Sequence, residues 1–241
     1  LYAIKRKGFT QYNDWKKDQL DTLLDAAVST PKPTHFAIAN VIHKLYEDKF
    51  VCASITPEVW FSYYNHRYHR DDGGIAILKL IPTEITQVFL NFVNRLQKRI
   101  SNDDPDKERL EKKRDRAFKI IQELGQTNFG ASVLKMCRIH FYKKDFLSKL
   151  DNNRFLIGFE NGVYDLRQGI FRAGTMDDWL TQSTKKNYNE YSWDHEDVTE
   201  VMEYLTKVFV NPKLRYYFLD YIATCLMGSR MKLLVFFIGD R

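Results

Sequence analysis

Arg109, Lys112, Arg116 and Lys119 recur at intervals of three and four residues, so a helix would gather them into one stripe. From Lys107 to Lys119 seven basic residues stand against Glu108, Glu111 and Asp115. Such a stripe can neutralise phosphates and release their counterions, which is the chemistry of nucleic-acid binding. It can equally be a solvated helix face whose charge is tuned by neighbours such as Glu108. Lys135, Arg138, Lys143, Lys144 and Lys149 continue the basic excess downstream. A second block sets Trp60, Phe61, Tyr63, Tyr64 and Tyr68 beside His66, Arg67, His69 and Arg70. Rings among cations can stack exposed bases. The competing use is to pack a small sheet onto a helix, and strand geometry favours it, because alternate residues of a strand must be buried somewhere.

Other chemistry finds little support. His66 and His69, three apart on a strand, fall on opposite faces and make a poor metal pair. Asp103, Asp104 and Asp106 flank Pro105 at a helix start, where carboxylates cap and meet the dipole. Cys52, Cys137 and Cys225 are far apart with no CxxC pair, so neither a zinc site nor a disulfide framework is expected. No nucleophile, base and orienter stand at readable spacing, and no acidic catalytic motif of a primase or nuclease is found on a strand. The formal charge of +6 permits a polyanionic partner without demanding one. Cysteine usage fits an intracellular, reducing compartment. No apolar run approaches the roughly 20 residues of a bilayer span, and the basic start lacks a signal-peptide core. The chain begins without Met and stops on Ile-Gly-Asp-Arg, so it reads as a piece of a longer polypeptide.

The elements that would position these residues are mostly helical. Trp15, Leu20, Leu23, Leu24 and Ala27 predict a helix over 14–28, ended by Pro31 and Pro33. Thr34 is placed to cap the next, with Ile38, Val41, Ile42 and Leu45 in one stripe. A strand is expected over 50–53, β structure over 59–70, a turn at 71–74, and helical spacing over 75–100 with Pro82 opening a new helix. Helices follow over 106–124 and 127–140, and a short one over 143–150. Arg154–Arg172 then reads as a β-meander: Phe155, Ile157 and Phe159 alternate, Asn161-Gly162 suits a tight turn with positive φ, and Arg167-Gln168-Gly169 turns again. Residues 175–193 read as irregular, anchored by Trp179 and Tyr188. Helices are expected over 194–208 and from Pro212 to Met227, ended by Gly228, and Leu233–Ile238 reads as a strand buried in a parallel sheet. The class is α+β, mainly helical, with small antiparallel β elements.

Three blocks carry a family resemblance. The stretch from His35 to Gly74, the meander segment with its Asn-Gly-Val-Tyr-Asp-Leu core, and the stretch from Leu214 to Arg241 resemble, in that order along the chain, the start of the pre-helicase domain, the segment just upstream of the ATPase, and the entry into the superfamily-three AAA+ helicase in the helicase-primases of nucleocytoplasmic large DNA viruses. The likeness runs from about Thr34 onward and extends to related phage and plasmid primases. It implies a superfamily-three AAA+ helicase whose first strand is Leu233–Ile238. Gly239 then stands where the first glycine of a phosphate loop belongs, ahead of the second glycine, the Lys and the Ser/Thr. The resemblance further implies ATP and Mg as cofactors of the parent protein, none in this piece, single-stranded or forked DNA as partner, a homo-oligomeric ring, no membrane, and action in the host cytoplasm or at a viral replication site. By the same reading, residues 1–30 are a linker helix, 31–193 the pre-helicase domain, and 194–241 the helical lead into the ATPase. A non-catalytic module that binds nucleic acid or protein remains the rival.

Overall fold

The computed structural model describes residues 9–101 and 105–228, with side chains from residue 16. The expected strand over Leu233–Ile238, Gly239, Asp103, Asp104 and the Trp15 side chain lie outside the described residues. The chain divides into two compact units, Leu1–Tyr64 with Tyr68–Ser148, and Asn65–Arg67 with Lys149–Arg241. The mainly helical α+β class is borne out.

The first unit is built from α1 (Phe9–Ala27) and α2 (His35–Tyr46), the sheet β1 (Phe50–Ser54), β2 (Val59–Tyr64) and β3 (Arg67–Asp71), and then α3 (Ile75–Leu80), α4 (Thr86–Ser101), α5 (Lys107–Leu124), α6 (Thr127–Phe141) and α7 (Phe146–Lys149). Thr34 caps α2 as expected, its hydroxyl accepting the Ala37 N–H at 3.2 Å. The proline-broken stretch after α1 is a turn between helices that share one core, since Leu24, Ala27 and Val28 pack with Ile38, Val41 and Ile42. β1 pairs antiparallel with β2, Phe50 opposite Ser62. The aromatic block is chiefly core. Trp60 packs against Phe141 at 5.9 Å between ring centroids, while Phe61 and Tyr68 meet Phe146 at 5.1 and 5.0 Å. The block splits into two strands at Asn65 and His66, whose φ of 47° and 64° make a primed hairpin turn without any glycine.

Pro82 opens no new helix. α3 continues into α4 through a π turn, Ile81–Ile85. Proline removes one donor from the ladder, and two hydroxyls bind carbonyls on either side of the gap: Thr83 donates to the Lys79 carbonyl at 2.8 Å and Thr86 to the Ile81 carbonyl at 3.3 Å. The expected turn falls at Asp72–Gly74, where Gly73 and Gly74 are left-handed at φ 65° and 69°, and from Ile75 to Ser101 the chain is helical without a break. Contrary to the sequence expectation, the length of the run Asp72–Ser101 and a mean hydropathy of 1.3 over its most apolar window suit a bilayer span. Its stripe of Ile77, Ile81, Ile85, Phe89, Phe92 and Leu96 is spent instead on the core of this unit.

In the second unit β4 (Leu156–Phe159), β5 (Gly162–Asp165) and β6 (Ile170–Arg172) form the expected meander, in register Phe159 to Gly162 and Asp165 to Ile170. The reason for Gly162 differs from the expected one. Neither Asn161 nor Gly162 has positive φ. Gly162 is needed for space, because a Cβ there would lie 2.5 Å from Phe171 Cζ and 2.6 Å from the Arg172 carbonyl. Asn161 instead pairs with the Tyr188 backbone in both directions, at 2.8 and 3.0 Å, and fixes the Tyr188 ring flat on Phe171 at 4.5 Å. The irregular stretch is thus anchored by Tyr188, and its residues 184–186 cover the open edge of β4 through Thr184 N–H to the Gly158 carbonyl and Glu160 N–H to the Lys186 carbonyl. Arg67 and the Ser183 hydroxyl both donate to Glu160, at 3.0 and 2.5 Å. Helices α8 (Glu196–Val208) and α9 (Pro212–Cys225) follow.

Candidate nucleic-acid interface

α5 forms because Leu110, Ala117, Ile120 and Leu124 repeat on one face and bury it against α4, whose Phe89, Val93, Leu96 and Ile100 do the same. That packing turns the opposite face outward and decides which of its cations are available. Arg109 is 71% exposed and lies 3.9 Å from Asp106. Lys112 is 64% exposed and reaches Glu108 at 2.6 Å, one turn back, which holds the Glu108 carboxyl below its ordinary value. Lys119 is exposed on the same face. These links are solvent-screened pairs of small net strength, so a phosphate can displace them at little cost.

Arg116 is placed differently from its three companions. Its guanidinium donates to the carbonyls of Val28 and Ser29, at 3.2 and 2.5 Å, just beyond the end of α1. There it satisfies acceptors that the helix end leaves open and meets the negative end of the dipole. Lys113 is likewise turned toward α1, at 2.6 Å from Asp25, and Arg114 toward Gln97 of α4 at 3.1 Å. Of the four residues of the stripe, the fold therefore presents three outward and draws one into a structural contact. Arg116→Ala is expected to cost about 1.5–3 kcal/mol of stability, the usual worth of hydrogen bonds to a charged donor. Urea denaturation measures it, and a loss below the error of the method would contradict the assigned role.

The β2–β3 hairpin carries a second feature. Tyr64, 48% exposed, stacks on His69 with centroids 3.8 Å apart and planes 11° from parallel, and Arg70 beside it is largely exposed. The block of aromatics and cations pointed here, but its sequence did not tell which ring stays outside. Burial pushes the Cys52 thiol up to about 11 and the Cys137 thiol to about 12, so neither is a thiolate at neutral pH. Burial also lowers the His43 and His140 imidazoles. Among the described residues no three His, Cys, Asp or Glu side chains converge as metal ligands.

Comparison with known proteins places this geometry in a family. The family model described as "D5 N terminal like" matches residues 39–210. Relatives include proteins named "putative helicase" in three viruses. The one from Acanthamoeba polyphaga mimivirus is 32% identical over 95% of this chain and 24% of its own length. That from Invertebrate iridescent virus 3 is 36% identical over 52% of this chain and 13% of its own. That from Frog virus 3 is 23% identical over 62% and 18%. The chain thus spans a quarter or less of the curated relatives it matches. The family match takes in β1 to β6, most of α2, α3 to α8 and the stripe of α5, and on that extent the chain belongs to the D5 N-terminal-like family.

Proposed function

We propose that this chain is the DNA-binding segment ahead of the ATPase in a viral replicative helicase, and that DNA phosphates run along the outward face of α5. The observation that carries the reading is the row Arg109, Lys112 and Lys119, held outward by a helix whose other face is core, in a chain whose viral relatives are named helicases. Rigid helical spacing suits a phosphate track, because it fixes charges without ordering a loop on binding. The parent protein would be a ring-forming DNA translocase driven by ATP with Mg and acting in the host cytoplasm or at a viral replication site. Gly239 would be the first glycine of its phosphate loop.

The experiment is a titration of fluorescent single-stranded and forked oligonucleotides at several salt concentrations. The variant carries Arg109→Ala, Lys112→Ala and Lys119→Ala together and keeps Arg116, so the contact with α1 survives. Each lost phosphate contact flattens the log–log salt slope by roughly 0.7 to 0.9, so the triple variant should lose roughly 2.1 to 2.7 in slope as well as affinity. Unchanged affinity and slope would make the stripe a solvated surface only. Tyr64→Ala offers an independent reading, because loss of a stacked base lowers affinity by roughly 1–3 kcal/mol without moving the slope.

A further inference from the structure

Strand pairing sorts the meander of the second unit into two unlike faces. Phe155 stands opposite Leu166, Ile157 opposite Tyr164, and Tyr164 opposite Phe171, so these residues and Phe159 share one side of the sheet. Gly158, Val163 and Arg172 share the other. That other face is closed by the chain itself. Val163 is fully buried, a Cβ on Gly158 would run into the Gln182 carbonyl, and one on Gly174 would lie 3.0 Å from Val163 Cγ2. The first face is not closed in this way, and its Phe155, Ile157, Phe159, Tyr164 and Phe171 are all only half-buried. Tyr188, half-exposed, lies flat on Phe171 at 4.5 Å and meets Phe159 and Tyr164 at 5.4 and 5.3 Å, which joins four rings into one aromatic floor. Asn161 holds Tyr188 by its backbone, at 2.8 and 3.0 Å, so the ring is set in place before any ligand arrives.

The charges bordering this floor have one sign. The Arg167 guanidinium carbon lies 4.0 Å and that of Arg154 5.2 Å from the centre of the Phe155 ring, and Lys185 and Lys186 belong to the segment that covers the open edge of β4. All four cations are exposed, and among the described residues none of them is in an ion pair. The floor carries no carboxylate. Asp165 falls on the opposite face and accepts the Arg167 backbone N–H at 2.9 Å, while Glu160 is held by Arg67 at 3.0 Å.

We propose that this face of the meander binds single-stranded nucleic acid, with bases stacked on Tyr188 and Tyr164 and phosphates met by Arg154, Arg167 and the two lysines. Rings accept any base because every base has a π face, and cations with no carboxylate among them suit a polyanion. Seating on Phe155 orders the two guanidiniums while leaving their N–H groups for phosphate oxygens. The strand must be unpaired, since the bases of a duplex are stacked on one another and cannot lie on a protein ring. The site is separate from the α5 row and stands without it.

Tyr188→Leu is the informative change, because it keeps apolar cover on Phe171 and both backbone bonds to Asn161 while removing the π face. In the 241-residue chain it should weaken binding of fluorescent oligothymidylate about 5- to 100-fold, the worth of one stacked base, and leave binding of a duplex oligonucleotide unchanged. Tyr188→Phe should bind like the parent. The same loss should appear when Tyr188→Leu is added to Arg109→Ala, Lys112→Ala and Lys119→Ala, which separates this face from α5. Arg167→Ala should flatten the log–log salt slope for oligothymidylate by roughly 0.7. Ultraviolet cross-linking of oligothymidylate that carries 5-iodouracil, mapped by mass spectrometry, should fall on Tyr164, Phe171 or Tyr188. Where Tyr188→Leu lowers the thermal melt, Tyr164→Leu and the cross-link map of the unaltered chain decide instead. Unchanged oligothymidylate affinity in a folded Tyr188→Leu chain overturns the proposal. So does an equal loss for duplex, failure of the parent to bind oligothymidylate, or cross-links confined to 107–119, which would leave the α5 track standing alone.

Discussion

Trp60→Ala will remove about 3–5 kcal/mol of stability, the range for deleting a buried aromatic side chain from a core. Trp60 is fully buried, and its surroundings have no slack to close the cavity. Phe141 packs on one side of the indole, and a Cβ added to Gly74 would lie 3.0 Å from Nε1 and 3.0 Å from Leu134 Cδ1. The indole N–H also donates to Glu58 at 2.7 Å, and Arg138 holds the other carboxylate oxygen at 2.9 Å. Alanine would therefore open a void beside an ion pair that has lost one of its two donors. Since whole domains are stable by only about 5–15 kcal/mol, this one change should leave the first unit marginal at 37 °C. Urea denaturation gives the magnitude, and hydrogen exchange should rise over β1, β2 and α6. Trp60→Phe, which keeps most of the volume, should cost clearly less. A Trp60→Ala loss under 1 kcal/mol would mean that the sheet is not packed on α6 as described.

Asp178→Ala should have a comparable effect on the second unit, about 3–5 kcal/mol, because it strands a partly buried guanidinium. Arg172 grips the carboxylate with both terminal nitrogens, at 2.8 and 2.6 Å, and the Thr175 N–H adds a third bond at 2.7 Å within a reciprocal cap. Arg172 closes β6, so the loss should spread into the meander. The same carboxylate sets a pH dependence. Burial by itself pushes Asp178 up, but the Arg172 hydrogen bonds and charge, with the Thr175 N–H, bring it below the ordinary aspartate value. A carboxylate depressed in the folded state contributes fully above its unfolded value of about 3.9 and loses that contribution as pH falls through the folded value. Thermal melts of the parent should thus fall below about pH 4, and Asp178→Asn should start lower and show less of that decline. Equal acid sensitivity in the two proteins would assign the effect to other carboxylates.

By itself the sequence determined what depends on neighbours within a turn or two. Apolar spacing placed α2, α4, α5 and α6, Thr34 was legible as a cap, the class was legible as mainly helical α+β, and the cations of α5 fell on one stripe. Each of these rests on a period or a hydrogen bond between residues three or four apart, which the chain carries in any context. Tertiary structure decided the rest, because it depends on partners far away in the chain. Arg116 looked like its companions on α5 until the packing of α1 brought carbonyls 88 and 87 residues distant to its guanidinium. Gly162 looked like a turn residue until β6 laid Phe171 and the Arg172 carbonyl against its missing Cβ. Asn65 and His66 carried no glycine to mark a hairpin, and the strand pairing on either side imposed the left-handed conformation. Helical spacing set which cations of α5 could share a face, and burial against α4 and α1 chose which of them remained free to meet a phosphate.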